Sequence, residues 1–159
     1  MDITYHGNLV EAALWFVIAV VLARRAVKGG DARKIDAKLA PAVGSMERYK
    51  LMEWLNFIAT EVHKQIGALF NPKLTPEMRE VQLAVIERRM NALDKMAAGK
   101  QYLMGDAFSV ADAYLFNIML WAKKHNIDIA KWPNVAAINA RIGERPNVVA
   151  AMKAEGLIK

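Results

Sequence analysis

From residue 46 to the C-terminus, apolar side chains recur at steps of three and four and never in sustained alternation. That spacing is an α-helix seen along one face; a half-buried strand would repeat every second residue. Leu51, Leu55, Ile58, Val62, Ile66 and Leu69 make one stripe, and Leu83, Ile86, Met90, Leu93 and Ala97 make another. The stop and start signals agree with this reading. Asn71-Pro72 ends the first helix, and Thr75 caps the second, with Pro76 at its first position and Glu77 and Glu80 near its positive end. Gly99 suits a C-terminal cap. Ser109-Val110-Ala111-Asp112 has the form of a capping box, in which hydroxyl and carboxylate satisfy free backbone N–H groups, and it opens a third helix running to about His125. Residues 133–157 form two short helices broken at Arg145-Pro146. The pattern predicts an all-α helical bundle from about residue 46 to residue 159.

An apolar helix precedes it. The chain has 159 residues, 55% of them hydrophobic, with a mean hydropathy of +0.11, and residues 12–23, AALWFVIAVVLA, carry much of the excess. The run reaches back to Leu9 if Glu11 is tolerated. A spanning helix needs about 20 residues, whereas runs of about 10–14 more often mark a buried helix. Asp2, the lack of Lys or Arg before the run and the lack of a small-residue cleavage site argue against a cleaved signal. Arg24-Arg25 follows the run, and the positive-inside rule would place the rest of the chain in the cytoplasm. Two readings stand. Either the segment from Leu9 to Ala23 crosses the inner membrane with the domain on its cytoplasmic side, or it packs on the domain or a second copy and the protein is cytoplasmic. Gly29-Gly30 and their charged neighbours form a linker closed by Pro41 and Gly44, so residues 1–38 stand apart from residues 39–159.

The net charge of +6 does not point to nucleic acid. A short basic stretch (Arg24, Arg25, Lys28, Arg33, Lys34 and Lys38) follows the apolar run, and later charges of both signs are interleaved as on solvated helix faces. There is no cysteine, which excludes disulfides, thiolate metal sites and a cysteine nucleophile. His6, His63 and His125 have no second ligand at helical spacing, so no metal is expected. Of the two serines, Ser45 falls in the linker and Ser109 in the cap, which leaves no Ser-His-Asp centre. No phosphate-binding or dinucleotide fingerprint is present.

One constellation carries chemistry. On the first helix, Tyr49, Asn56, Thr60, His63 and Gly67 share one side, with Lys64 beside them, well round from the apolar stripe at about 100° per residue. An amide, a hydroxyl, an imidazole and an ammonium in a row suit a small anionic ligand, with Gly67 permitting close approach. A solvated polar face would look the same.

Those residues sit within a recognisable stretch. Glu47-Arg48-Tyr49-Lys50 and the run Trp54-Leu55-Asn56-Phe57-Ile58-Ala59-Thr60-Glu61-Val62-His63-Lys64 resemble the first C-terminal-domain helix of bacterial beta-class glutathione transferases. Phe108-Ser109-Val110-Ala111-Asp112-Ala113-Tyr114-Leu115-Phe116 resembles that family's capping-box segment, important there for folding. Glu144-Arg145-Pro146 and Ala154-Glu155-Gly156-Leu157 resemble its ending. The likeness covers about residues 39–159. It implies a helical domain that lines a glutathione and hydrophobic-substrate site and part of a dimer interface. A thioredoxin-like N-terminal domain carries the family's catalytic cysteine. By this resemblance Asn56, Thr60, Glu61, Val62, His63 and Lys64 match glutathione contacts, His63 assists near the thiol, and Ser109 and Asp112 are structural. Glutathione is then a substrate rather than a bound cofactor, and the partners are apolar electrophiles and a second or homologous subunit.

Residues 1–38 are too few for the thioredoxin-like domain, show no βαβ pattern and hold no cysteine. The expectation is a domain without its own catalytic centre, inactive alone. Two alternatives are an enzyme completed by a thioredoxin-like domain or homologous subunit, and a fusion or truncation product without function.

Overall fold

The computed structural model describes residues 39–159. The apolar run at residues 12–23, its membrane or packed-helix readings and the basic linker lie outside the described residues. Among the described residues there is no strand beyond an isolated bridge between Tyr102 and Gly105, so the domain is all-α, as the spacing predicts. Nor is any helix among them long and apolar enough to cross a membrane.

Helix α1 (Met46–Phe57) starts at Ser45, which is therefore a helix cap rather than linker: its hydroxyl accepts from Arg48 N–H at 3.1 Å and donates to Ala42 O at 2.8 Å. The rod then changes pitch instead of running on as one α-helix to Phe70. Ile58–His63 form a π-helical turn, Lys64–Gly67 return to α geometry as α2, and Ala68–Phe70 tighten to a 3-10 turn. Helix α3 (Pro76–Ala97) begins at Thr75, whose hydroxyl accepts from Met78 N–H at 3.3 Å. Helix α4 (Val110–Lys124) follows the capping box, and α5 (Pro133–Gly143) and α6 (Pro146–Ala154) each open on proline.

Helix α4 is buried nearly all round, from Ala111 and Leu115 through Ile118 and Met119 to Ala122, which marks it as the central element. It packs against α1, the π turn, α2 and α5, while α3 packs against the π turn, α2 and α5. The stripes meet in one core, where Leu51, Ile58, Val62 and Ile66 of the rod face Leu115, Ile118 and Met119 of α4 within a cluster that includes Ile86, Met90 and Leu93 of α3.

Polar side chains lock the helix ends across the bundle. Asp94 on α3 accepts from Asn134 N–H at 2.8 Å and Val135 N–H at 3.0 Å, capping α5 from outside its own sequence. Asp112 does the same for the loop before α4. One of its oxygens accepts from Leu103 N–H at 2.7 Å; the other accepts from Ser109 N–H at 2.8 Å and Ser109 Oγ at 2.7 Å. Ser109 and Asp112 are both buried, and their hydrogen bonds tie this loop to the first turn of α4.

Candidate functional site

The polar row predicted on the first helix divides in space at the π turn. A π turn closes hydrogen bonds to the fifth residue back, as Lys64 N–H does to Ala59 O. Each residue in it advances less around the axis than in an α-helix, so those at its end lag toward the buried side. His63 ends the turn and is half-buried, while Asn56, Thr60 and Lys64 remain exposed. Thr60 Oγ1 donates back to Asn56 O at 2.9 Å, where the helical ladder changes register. Val62 turns into the core with 1% of its surface exposed, so neither its side chain nor its backbone is open to a ligand. Glu61 pairs with Arg89 on α3 at 2.9 Å, a part-exposed bridge that holds the turn against the neighbouring helix. Gly67 lies against His63 and Trp121, where an added Cβ would meet both at ordinary contact distance. It serves side-chain packing.

His63 meets residues that periodicity alone left as core or as polar spacers. Its Nδ1 is hydrogen-bonded to the Tyr114 hydroxyl on α4. Its ring lies edge-on to Trp121, with centroids 4.8 Å apart at 77°. Phe70 continues the contact, 5.3 Å from Trp121 and 4.3 Å from His125, and Lys124 Nζ sits 5.3 Å from the Phe70 ring. The result is an aromatic string, Tyr114–His63–Trp121–Phe70–His125, bordered by the exposed Lys64 and Lys124. The sequence signal for it was the spacing Tyr114, Trp121, His125 on one helix, which also fits an amphipathic core face.

Burial shifts these groups toward their neutral forms. It lowers the His63 imidazole below its usual value and raises the Tyr114 phenol. His125 is also lowered, by burial first and then by the charges of Arg79 and Lys124. A neutral imidazole beside a neutral phenol takes the phenol's proton donation at Nδ1, the better acceptor of the two. His63 then carries its own proton on Nε2. Such an N–H is a donor suited to an anion or a thiolate. Among the described residues no group of histidines and carboxylates is arranged to hold a metal ion.

These shifts have a stability consequence of defined sign. With folded-state values below the ordinary His value of about 6.5, the folded chain binds fewer protons than the unfolded one as pH falls through that value. Stability therefore drops on acidification. The melting temperature is expected to fall between pH 7.5 and pH 5.5, and to fall less in the double variant His63→Gln, His125→Gln. Equal falls in both proteins would remove these histidines as the cause.

Known proteins share this sequence and this fold. Residues 60–155 match the family model for the glutathione S-transferase C-terminal domain. A glutathione S-transferase of Escherichia coli O157:H7 is 37% identical over 122 residues, which is 77% of this chain and 61% of that protein. Among solved structures, the beta-class glutathione S-transferase of Sphingomonas chungbukensis superposes with a TM-score of 0.73 at 41% identity, covering 79% of this chain and 63% of its own. A sphingomonad glutathione S-transferase complexed with glutathione gives 0.70 at 42% identity, covering 76% and 60%. The chain therefore spans about three fifths of the length of these relatives. On sequence, on fold and on the order of its helices, the chain belongs to the glutathione S-transferase family, and its described residues form that family's C-terminal helical domain.

Proposed function

We propose that this chain provides the helical half of a glutathione-transferase site and does not turn over substrate by itself. The observation that carries this reading is His63, neutral and half-buried, held by Tyr114 and Trp121 with the exposed Asn56, Thr60 and Lys64 along the same rod. In this reading Lys64 supplies positive charge to glutathione and Asn56 orients it. The Nε2–H of His63 faces the sulfur, and the string Tyr114, Trp121 and Phe70 takes the apolar electrophile.

Conjugation requires a thiolate held between donors that surround it and are fixed before the reaction begins. The described residues offer donors from one side. The sequence has no cysteine, and both serines are spent as caps. The pre-formed His63–Tyr114 pair favours a second reading, in which a thioredoxin-like domain or a homologous subunit completes the centre.

Purified full-length chain is expected to conjugate glutathione to 1-chloro-2,4-dinitrobenzene no faster than the uncatalysed reaction. It should still bind glutathione weakly, with a dissociation constant on the order of 1 mM, and His63→Ala and Lys64→Ala should each weaken that binding. Turnover by the chain alone would overturn the inactivity. Undetectable glutathione binding would overturn the half-site. Activity gained on adding a thioredoxin-like domain, and lost in His63→Ala, would establish the second reading.

A further inference from the structure

The proposed glutathione half-site uses the rod from Asn56 onward. A cleft of about 440 Å³ lies elsewhere, between the middle of α1, the end of α3 and the Tyr102–Gly105 turn. Its size falls within the range of small-molecule pockets. Trp54 and Leu103 form its floor and belong to the buried core, at 7% and 1% exposed. Met96 and Met104, both half-buried, supply polarizable walls that adapt to an apolar body. None of the lining residues belongs to the Tyr114–His63–Trp121–Phe70 string.

The rim is charged and its charge is unbalanced. Lys50, Lys100 and Glu53 are exposed at the mouth, two ammonium groups against one carboxylate. Lys100 Nζ is 4.9 Å from the centre of the Trp54 ring, so one cation already sits on the aromatic floor. The frame is rigid. Tyr102 N–H donates to Gly105 O at 2.7 Å and Gly105 N–H returns to Tyr102 O at 2.9 Å. Leu103 N–H is anchored on the Asp112 carboxylate. Gly105 sits at the edge with φ +110°, and a Cβ there would meet nothing within 4 Å, so the turn leaves the mouth uncovered by its own residues.

We propose that this cleft is a second binding site, selective for small apolar carboxylates such as aryl-acetic acids. The apolar body would lie on Trp54 between the two methionines, and the carboxylate would meet Lys100 and Lys50. One net positive charge beside an apolar floor fits a singly charged anion. A phosphate or dianion would find too few donors, and a cation would meet the ammonium already over the ring. Glu53 adds selectivity by repelling ligands with a second negative group.

The test is titration of ¹⁵N-labelled full-length chain with 2-naphthylacetate and, separately, its neutral amide, following the tryptophan indole N–H signals. The Trp54 signal is assigned by its loss in Trp54→Phe. The expected result is a saturable shift of the Trp54 signal near 1 mM ligand, the order expected of a fragment this small. The amide should bind at least about fivefold more weakly. Lys100→Glu and Lys50→Glu, both exposed and compatible with folding, should each weaken the acid at least as much, and Lys100→Arg should retain it. No saturable shift of Trp54, equal affinity for acid and amide, or a shift confined to the Trp121 signal would each overturn the proposal.

Discussion

Replacing Asp112 with Ala is expected to cost about 3–5 kcal/mol of folding stability and to lower the melting temperature by roughly 10–20 °C. Asp112 has no exposed surface. Burial pushes its carboxyl above the ordinary carboxylate range, and the bonds from Leu103 N–H, Ser109 Oγ–H and Ser109 N–H pull the other way. Alanine removes the acceptor and leaves two backbone N–H groups buried without partners; the Ser109 hydroxyl can rotate to seek another. An unsatisfied buried donor costs about 1–3 kcal/mol. Against a typical domain stability of about 5–15 kcal/mol, the loss is a large fraction of the whole. Asp112→Asn should cost about half as much. Its carbonyl can keep Leu103, and it carries no charge to bury, but its amide nitrogen confronts the Ser109 N–H. Thermal and urea unfolding of the three proteins checks the order. If Ala proved no worse than Asn, the hydrogen-bond account of this residue would be wrong.

Asp112 was legible because both partners of its box stand three residues apart, and so were Thr75-Pro76 and the break at Arg145-Pro146. Local physics writes local signals. Ser45 carries only half of the capping signature, because the third residue after it is Arg48 rather than Glu or Gln, so in sequence it resembles linker. Asp94 carried no signal at all: it caps a helix whose first turn lies 40 residues away. The same distance problem hid the pairing of His63 with Tyr114, 51 residues apart, and the cleft on Trp54, whose walls come from separate segments. Residues 56–64 carry the family resemblance, but their division between an exposed edge and a half-buried imidazole is invisible on the straight α-helix that the spacing predicts. A faint clue existed. Ile58, Val62 and Ile66 are separated by two consecutive four-residue steps, each of which over-rotates by about 40° on an α-helix, and a wider turn absorbs that drift.

The π turn therefore holds one residue more than an α-helix needs, and deleting that residue should separate fold from site. Removing Ala59, exposed within the turn, allows the rod to close as continuous α-helix. The residues after it keep their angular phase, so Ile66 and Leu69 stay in the core and His63 stays beside Tyr114. The expected cost is small, about 1 kcal/mol, near the centre of the distribution for single substitutions. Deleting Ala84, equally exposed but inside the regular α3, offers no such slack. It would rotate everything beyond it by about 100°, carrying Ile86, Met90 and Leu93 off the core and unfolding the domain. The turn's own residues would tell a different story in the Ala59 deletion. Thr60 would lose its placement against Asn56 O, and Glu61 would swing away from Arg89. If Asn56, Thr60 and Lys64 hold glutathione as proposed, affinity should fall at least about tenfold in a protein that still melts cooperatively, a difference of about 1.4 kcal/mol. Circular dichroism and glutathione titration on the two deletions read both effects. An unfolded Ala59 deletion would show that the wide turn is part of the core's packing. A folded one that binds glutathione as well as the parent would show that the turn does not shape the site.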